Sequence, residues 1–228
     1  MELHRIEDEA RLLQFEIWQK RALLWPLGEP KPKEMFDPAV AARVLDYSYE
    51  YREQLIALGS SNQPWHAAGT LDSSRRIITI SGQFDYKVQR FTGGHEIGHS
   101  LLHPEFGNAV IHRDRPIFDA CGMRRPQKER EADYFSACFL APKKLLAASF
   151  QSRFGNIPLR LNETVAFHLK GELAHELFIA PHGSLDFATA VAVAQKFGAY
   201  PFQSLTEEYG MSPHAMAIRL KELDLVRD

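Results

Sequence analysis

Arg90-Phe91-Thr92-Gly93-Gly94-His95-Glu96-Ile97-Gly98-His99-Ser100-Leu101-Leu102-His103-Pro104 decides how the rest of this chain is read. Inside it, His95-Glu96-x-x-His99 sets two imidazoles four residues apart. On a helix of about 3.6 residues per turn these positions lie roughly 40° apart around the axis and one turn along it, so both rings converge on one point. Zn²⁺ takes nitrogen ligands at about 2.0–2.1 Å. Glu96, one position from a ligand, can reach a water polarised by the metal without occupying the metal. It can then take that water's proton as the oxygen attacks a carbonyl. Ile97, Leu101 and Leu102 give the helix a buried side, Gly98 admits a close neighbour, and Thr92 is expected to cap the helix start. His103 is splayed roughly another 40° around the axis, so it supports the site rather than ligating.

Catalytic zinc uses three protein ligands and keeps a fourth position open. The third is sought in Lys128-Glu129-Arg130-Glu131-Ala132-Asp133-Tyr134-Phe135, within a helix expected over about Gln127 to Leu140. Glu129, Ala132, Asp133 and Ser136 share one face of it. Glu129 is the preferred ligand, with Asp133 one turn on to accept the other N–H of a ligand histidine and fix its tautomer. Glu131, on the face of Tyr134 and Phe135, is the rival. An oxyanion needs a donor besides the metal; Tyr134 and His112 are candidates, and the spelling does not choose between them. His168 and His175 read as ordinary histidines. Ala174-His175-Glu176-Leu177 imitates the metal motif but has Ile179 in the closing position.

Around this centre the texture is mostly helical. Residues 4 to 25 carry apolar Leu12, Leu13, Phe15, Ile17, Trp18, Leu23 and Leu24, and a second helix is expected from Pro38 to about Leu58. β-branched Ile77-Ile78-Thr79-Ile80-Ser81 is a strand. Read as an edge strand, it would pair through Ile78, Thr79 and Ile80 with an extended substrate. A loop with Gly107, Pro116 and Gly122 follows the motif helix. Helical pieces are then expected at Lys143–Phe150, Glu163–Leu177, Asp186–Phe197 and Ser204–Leu225.

Arg90-Phe91-Thr92-x-x-His95-Glu96-x-Gly98-His99-x-Leu101-Leu102-His103 and Glu129-x-x-Ala132-Asp133-x-Phe135-x-Ala137-x-Phe139-Leu140-x-Pro142 resemble the ImmA/IrrE family of metallo-endopeptidases. The likeness runs from about Gly69 to Pro142. It departs from the family's usual spelling at Asp133, where Asn is commoner, and at Gly93-Gly94, which should loosen the first helical turn. The resemblance implies a zincin-like, intracellular enzyme that cleaves a transcriptional repressor and so releases a stress or mobile-element response.

Of the 228 residues, 45% are hydrophobic and 25% charged, with a net charge of −2. No basic field would draw the chain to nucleic acid or an anionic membrane. No apolar run is long enough to span a bilayer, and the acidic start at Glu2, Glu7 and Asp8 is unlike an export signal. A cytoplasmic setting with Cys121 and Cys138 reduced is expected. Ser204–Leu220 spells helix, Gly turn, helix, with Ser212 as cap and Pro213 at the first helical position. It is helix-turn-helix-like, but Leu205–Asp228 holds three basic residues against five acidic ones, which argues against DNA contact.

The expected fold is therefore α+β and mostly helical. Residues 1–62 form a helical N-terminal region and 63–200 a zincin-like metallopeptidase domain with a small antiparallel sheet. Residues 201–228 form the helix-turn-helix-like segment. The expected activity is zinc-dependent hydrolysis of a peptide bond in a protein substrate, a DNA-binding repressor, with Mn²⁺ or another divalent ion as alternative metal. The competing reading is a metal-binding regulatory module with little or no proteolysis.

Overall fold

Leu3–Gln19 form the first helix, α1, in the computed structural model of the chain, which describes residues 3–58, 64–104, 110–112, 126–155 and 157–228. The architecture is mostly helical α+β, with twelve α-helices and small mixed and antiparallel sheets among the described residues. The chain groups into two compact units, Met1–Leu140 and Ala141–Asp228. No described helix is long and apolar enough to cross a membrane.

In the first unit, α1 packs on its Ile6, Ala10, Leu13 and Ile17 stripe, at helical spacing. Leu12, Phe15, Trp18 and Leu23, expected on the apolar face, are instead exposed. Leu12, Phe15 and Trp18 fall on a second stripe of α1 that turns away from the core, and Leu23 lies beyond the end of that helix. Short helices α2 (Arg21–Leu24) and α3 (Pro32–Met35) lead to α4 (Pro38–Val44). The expected helix to Leu58 ends early. Asp46 adopts a left-handed φ of 59°, and the Tyr47 N–H closes back onto the Ala42 carbonyl at 2.8 Å, a Schellman-type stop. Beyond it the alternating Ser-Tyr-Glu-Tyr-Arg forms β1 (Ser48–Arg52), because tyrosines suit a pleated, half-buried surface better than a helix. Next come β2 (Ile56–Leu58) and β3 (Pro64–His66), an antiparallel pair.

The principal sheet has the order β1-β5-β4-β6, with β4 (Gly69–Asp72), β5 (Ile77–Ser81) and β6 (Val110–His112). β4 runs antiparallel to β5 and β6, but β1 runs parallel to β5, so the sheet is mixed rather than antiparallel as expected. The strand at Ile77–Ser81 is where the sequence put it, but it is not an edge. With β1 on one side and β4 on the other, its ladder is taken, and Ile78, Thr79 and Ile80 are buried. Main-chain pairing of substrate with these residues is thereby corrected.

Helix α5 (Tyr86–Leu102) carries the metal motif. Asp85 caps it, accepting from the Lys87 N–H at 2.8 Å; Thr92, expected as the cap, is buried in its middle. Every residue from Arg90 to His99 is buried, because α5 is enclosed by β4 and β5, by α4 and by α6 (Gln127–Leu140). That enclosure explains Gly93-Gly94. The pair lies two turns inside the helix rather than in its first turn. A Cβ on Gly93 would collide with Pro38 and the Tyr49 hydroxyl, and one on Gly94 would lie 2.5 Å from Ser136 Oγ. Gly98 likewise faces Ala132 and Phe135 of α6. The Ser136 hydroxyl donates across to the Phe91 carbonyl at 2.8 Å. The buried guanidinium of Arg90 joins α5 to α4 through Asp37 at 2.5 Å and the Phe36 carbonyl at 3.1 Å. At the far end of α6, the Gln14 amide of α1 donates to the Cys138 and Phe139 carbonyls, two of the acceptors a helix end leaves bare.

In the second unit, α7 (Lys143–Phe154) precedes β7 (Leu159–Arg160) and α8 (Glu163–Lys170). Gly171, at φ 57°, stops α8 before α9 (Glu176–Ile179), so the single helix expected over this stretch is broken. Helix α10 (Asp186–Val193) is followed by the pair β8 (Lys196–Phe197) and β9 (Tyr200–Pro201). Helices α11 (Leu205–Tyr209) and α12 (Pro213–Glu222) join through Gly210, at φ 61°, with Ser204 and Ser212 as their caps. The chain closes with β10 (Val226–Arg227), parallel to β7. Tyr209 is fully buried, its hydroxyl 3.0 Å from that of Ser149, and burial pushes the phenol up to about 12.

Candidate metal centre

Three side chains on two helices meet at one point in the first unit. From α5, His95 Nε2 and His99 Nε2 stand 3.0 Å apart. From α6, Glu129 presents one carboxylate oxygen 3.3 Å from His95 Nε2 and the other 3.2 Å from His99 Nε2. This is the group among the described residues whose donor atoms could hold a metal ion. The i, i+4 spacing places the imidazoles one above the other, and Gly94 and Gly98 on the same helix let α6 come close enough for Glu129 to join them.

The donor set fits zinc. Ligands at about 2.1 Å in a tetrahedron lie roughly 3.4 Å apart, a little wider than the separations seen. Two imidazoles and one carboxylate leave a fourth direction for a reactant. Both histidines are buried, while Glu129 is 22% exposed. Burial alone would raise the Glu129 carboxyl, but the two imidazoles that face it reverse this and hold it well below the usual carboxylate range. Burial, with the neighbouring His95 and His103 rings, pushes His99 down, toward the neutral form a metal requires.

The flanking residues hold these rings in place. His95 Nδ1 lies 2.8 Å from Asp133 Oδ1 and donates to it, which leaves Nε2 bare for the metal. His99 Nδ1 faces His103 Nδ1 at 3.0 Å, and His103 Nε2 faces Glu131 Oε2 at 3.0 Å. Glu131, the rival ligand, thus lies on His103 and also accepts from the Gln127 amide at 2.8 Å. Its carboxyl, which burial would raise, is held down to about 2, and the bonds with His103 and Gln127 are the largest of the lowering causes. Sequence reasoning assigned His103 a supporting place but did not find Glu131 as its partner.

Glu96 is fully buried on the sheet side of α5. A Cβ on Gly69 of β4 would come 3.1 Å from its Oε1, so the carboxylate lies against the β4 backbone where any side chain would crowd it. Of the two oxyanion candidates, Tyr134 donates its hydroxyl to Glu7 of α1 at 2.6 Å. His112 ends β6, and its side chain lies outside the described residues, as do Cys121 and the loop with Gly107, Pro116 and Gly122. In the second unit, His175 is exposed and His168 sits edge-on to Phe197 at 5.1 Å.

Residues 60–170 match the family model of the IrrE N-terminal-like domain, Peptidase_M78. No curated protein matches the chain.

Proposed function

Since residues 60–170 belong to the M78 peptidase family, of the ImmA/IrrE type, and form a metalloprotease domain, we propose that the protein is a zinc-dependent endopeptidase acting on a protein substrate. The observation that carries this is the convergence of His95, His99 and Glu129. His95 and His99 from α5 and Glu129 from α6 would hold the ion, which when bound polarises a carbonyl and activates water at neutral pH. Glu96, one position from a ligand and closed in against β4, accepts the proton of the attacking water and returns it to the leaving amine. Asp133 keeps His95 in the tautomer that offers Nε2.

The sheet behind α5 and the helix in front of it form a zincin-like arrangement, and β6 takes the part β5 cannot. Among the described residues β6 has β4 as its one neighbour, and β4 is the strand that touches Glu96 through Gly69. An extended peptide laid along β6 would gain main-chain bonds with little demand on its sequence.

The substrate class we propose is a DNA-binding transcriptional repressor, on the family resemblance. Direct DNA contact by this chain is disfavoured by the helix-turn-helix-like α11–α12 segment itself. Arg219 is 1% exposed and bonded to the Ala141 carbonyl and Glu222. Lys221 is held by Gly183, Ser184 and Asp228, and Arg227 by Asp224. Of the three basic groups one is buried, and the other two are each paired with an acidic neighbour, so the segment offers phosphate no unopposed positive charge.

The test is elemental analysis of purified wild type, His99→Ala and Glu129→Ala in reducing buffer, with Glu96→Gln assayed alongside for cleavage of repressors encoded near its gene. One zinc in the wild type, lost or weakened in both ligand variants, with cleavage abolished in Glu96→Gln, supports the peptidase. A wild type that takes up no metal when zinc is supplied refutes it. Zinc binding with a function indifferent to Glu96→Gln makes it a metal-binding module.

A further inference from the structure

Both ligand histidines end on a carboxylate of α6, but by different routes. His95 reaches Asp133 directly, whereas His99 reaches Glu131 through the ring of His103. Resting on the metal-site reading above, we infer that His103 and Glu131 are positioning residues that lock His99 in the tautomer offering Nε2 to the metal.

The direction of the row is set from its carboxylate end. An ionised carboxylate only accepts hydrogen bonds, so the His103 nitrogen 3.0 Å from Glu131 Oε2 must be the one carrying hydrogen. In the neutral ring, that makes His103 the Nε2–H tautomer with a bare Nδ1. The bare Nδ1 stands 3.0 Å from His99 Nδ1, which must then be the donor of that pair. With its hydrogen on Nδ1, neutral His99 has its lone pair on Nε2, the atom that converges with His95 and Glu129. The reverse arrangement would put a bare His103 Nε2 against the carboxylate, two acceptors facing each other. It would also put a hydrogen on His99 Nε2, inside the ligand cluster. His103 is 3% exposed and Glu131 8%, so bulk water is poorly placed to replace either partner. The Gln127 amide on Glu131 Oε1 fixes the carboxylate in turn.

Zinc dissociation constants are measured by competition with a chromophoric chelator for wild type, His103→Leu, His103→Asn and Asp133→Ala. Circular dichroism and melting of the metal-free proteins report the fold. His103→Leu should weaken zinc binding about 10–100-fold, as Asp133→Ala does. His103→Asn, whose side-chain oxygen can accept from His99 Nδ1, should recover most of the loss. Long-range nitrogen–proton NMR spectra of the zinc-loaded wild type should show His103 protonated at Nε2 and bare at Nδ1, and this readout stands even if a variant does not fold. Wild-type affinity in a folded His103→Leu, equal losses in the Leu and Asn variants, or a proton on His103 Nδ1 would each overturn the inference while leaving the peptidase reading intact. A wild type without zinc affinity would remove that reading itself.

Discussion

Adding one methyl group at Gly98 measures how closely the two ligand-bearing helices must approach. A Cβ there would lie 3.1 Å from Phe135 Cδ1 and 3.2 Å from both the Cα and the carbonyl oxygen of Ala132. Relaxed carbon contacts are about 3.5–4.0 Å, so α5 and α6 must part by roughly half an ångström. Two of those three atoms are backbone and cannot rotate aside. Overpacking of this kind costs about 1–3 kcal/mol, and alanine returns about 1 kcal/mol through better helix propensity. The expected net loss is about 1 kcal/mol, or about 2–4 °C in melting temperature. The effect on the metal is the more telling. Glu129 stands 3.2–3.3 Å from the two Nε2 atoms, and the same displacement carries it past the roughly 3.4 Å edge of a zinc tetrahedron. Zinc affinity of Gly98→Ala should fall about tenfold, the cost of losing half an ångström of ligand registration. The assay is chelator competition together with melting of the metal-free protein. Gly28→Ala is the control, since nothing lies within 4 Å of a Cβ at Gly28. A Gly98→Ala protein that binds zinc as tightly as wild type and melts no lower would refute the claim that helix approach limits the site.

Arg90→Met should destabilise the first unit by about 2–3 kcal/mol in urea unfolding, because it strands Asp37 beside the apolar end of α4; an unchanged midpoint would show the pair to be idle. The Glu131 carboxyl, at about 2 when folded, lies below its value of about 4.3 in an unfolded chain. Its contribution is complete above the unfolded value and is lost as pH falls toward 2, so the stability gap between metal-free wild type and Glu131→Gln should close across that window. At the alkaline end, Tyr209 is raised to about 12, so its contribution holds below about 10 and is lost as pH rises between the two. Tyr209→Phe should be the less stable protein at neutral pH by about 1 kcal/mol and should regain ground on wild type above pH ~10. A gap independent of pH would contradict the buried position of the phenol.

The legible part of the site is that set by local spacing. His95 and His99 converge because they are four apart on one helix, and Glu129 and Asp133 share a face for the same reason. What escaped depends on how separate elements meet. The pairing of His103 with Glu131 exists only once α5 and α6 are in register, and no pattern within either helix encodes it. Gly93 and Gly94 look like weak helix formers until Tyr49, Pro38 and Ser136 are seen against them. Thr92 looked like a helix start because the buried run from Arg90 to His99 lacks the one-sided periodicity by which a helix is followed, and the start lies further back at Asp85. The same limit applies to α1, where apolar residues make two stripes and only contact with the core decides which one is buried. Local chemistry also misled at Ser48–Arg52, where the Ala-rich α4 invited a longer helix than Asp46 permits.

The match to the family begins at residue 60, yet three supports of the metal helices come from before it: β1 beside β5, Asp37 on Arg90, and Gln14 on the last carbonyls of α6. A piece cut at the family boundary would expose a flank of the central strand, an uncompensated guanidinium and a bare helix end. Inheritance and folding therefore have different borders in this protein. Anyone grafting the peptidase into a new setting, or comparing it with a shorter cousin, must carry the first fifty-odd residues along or find what replaces them.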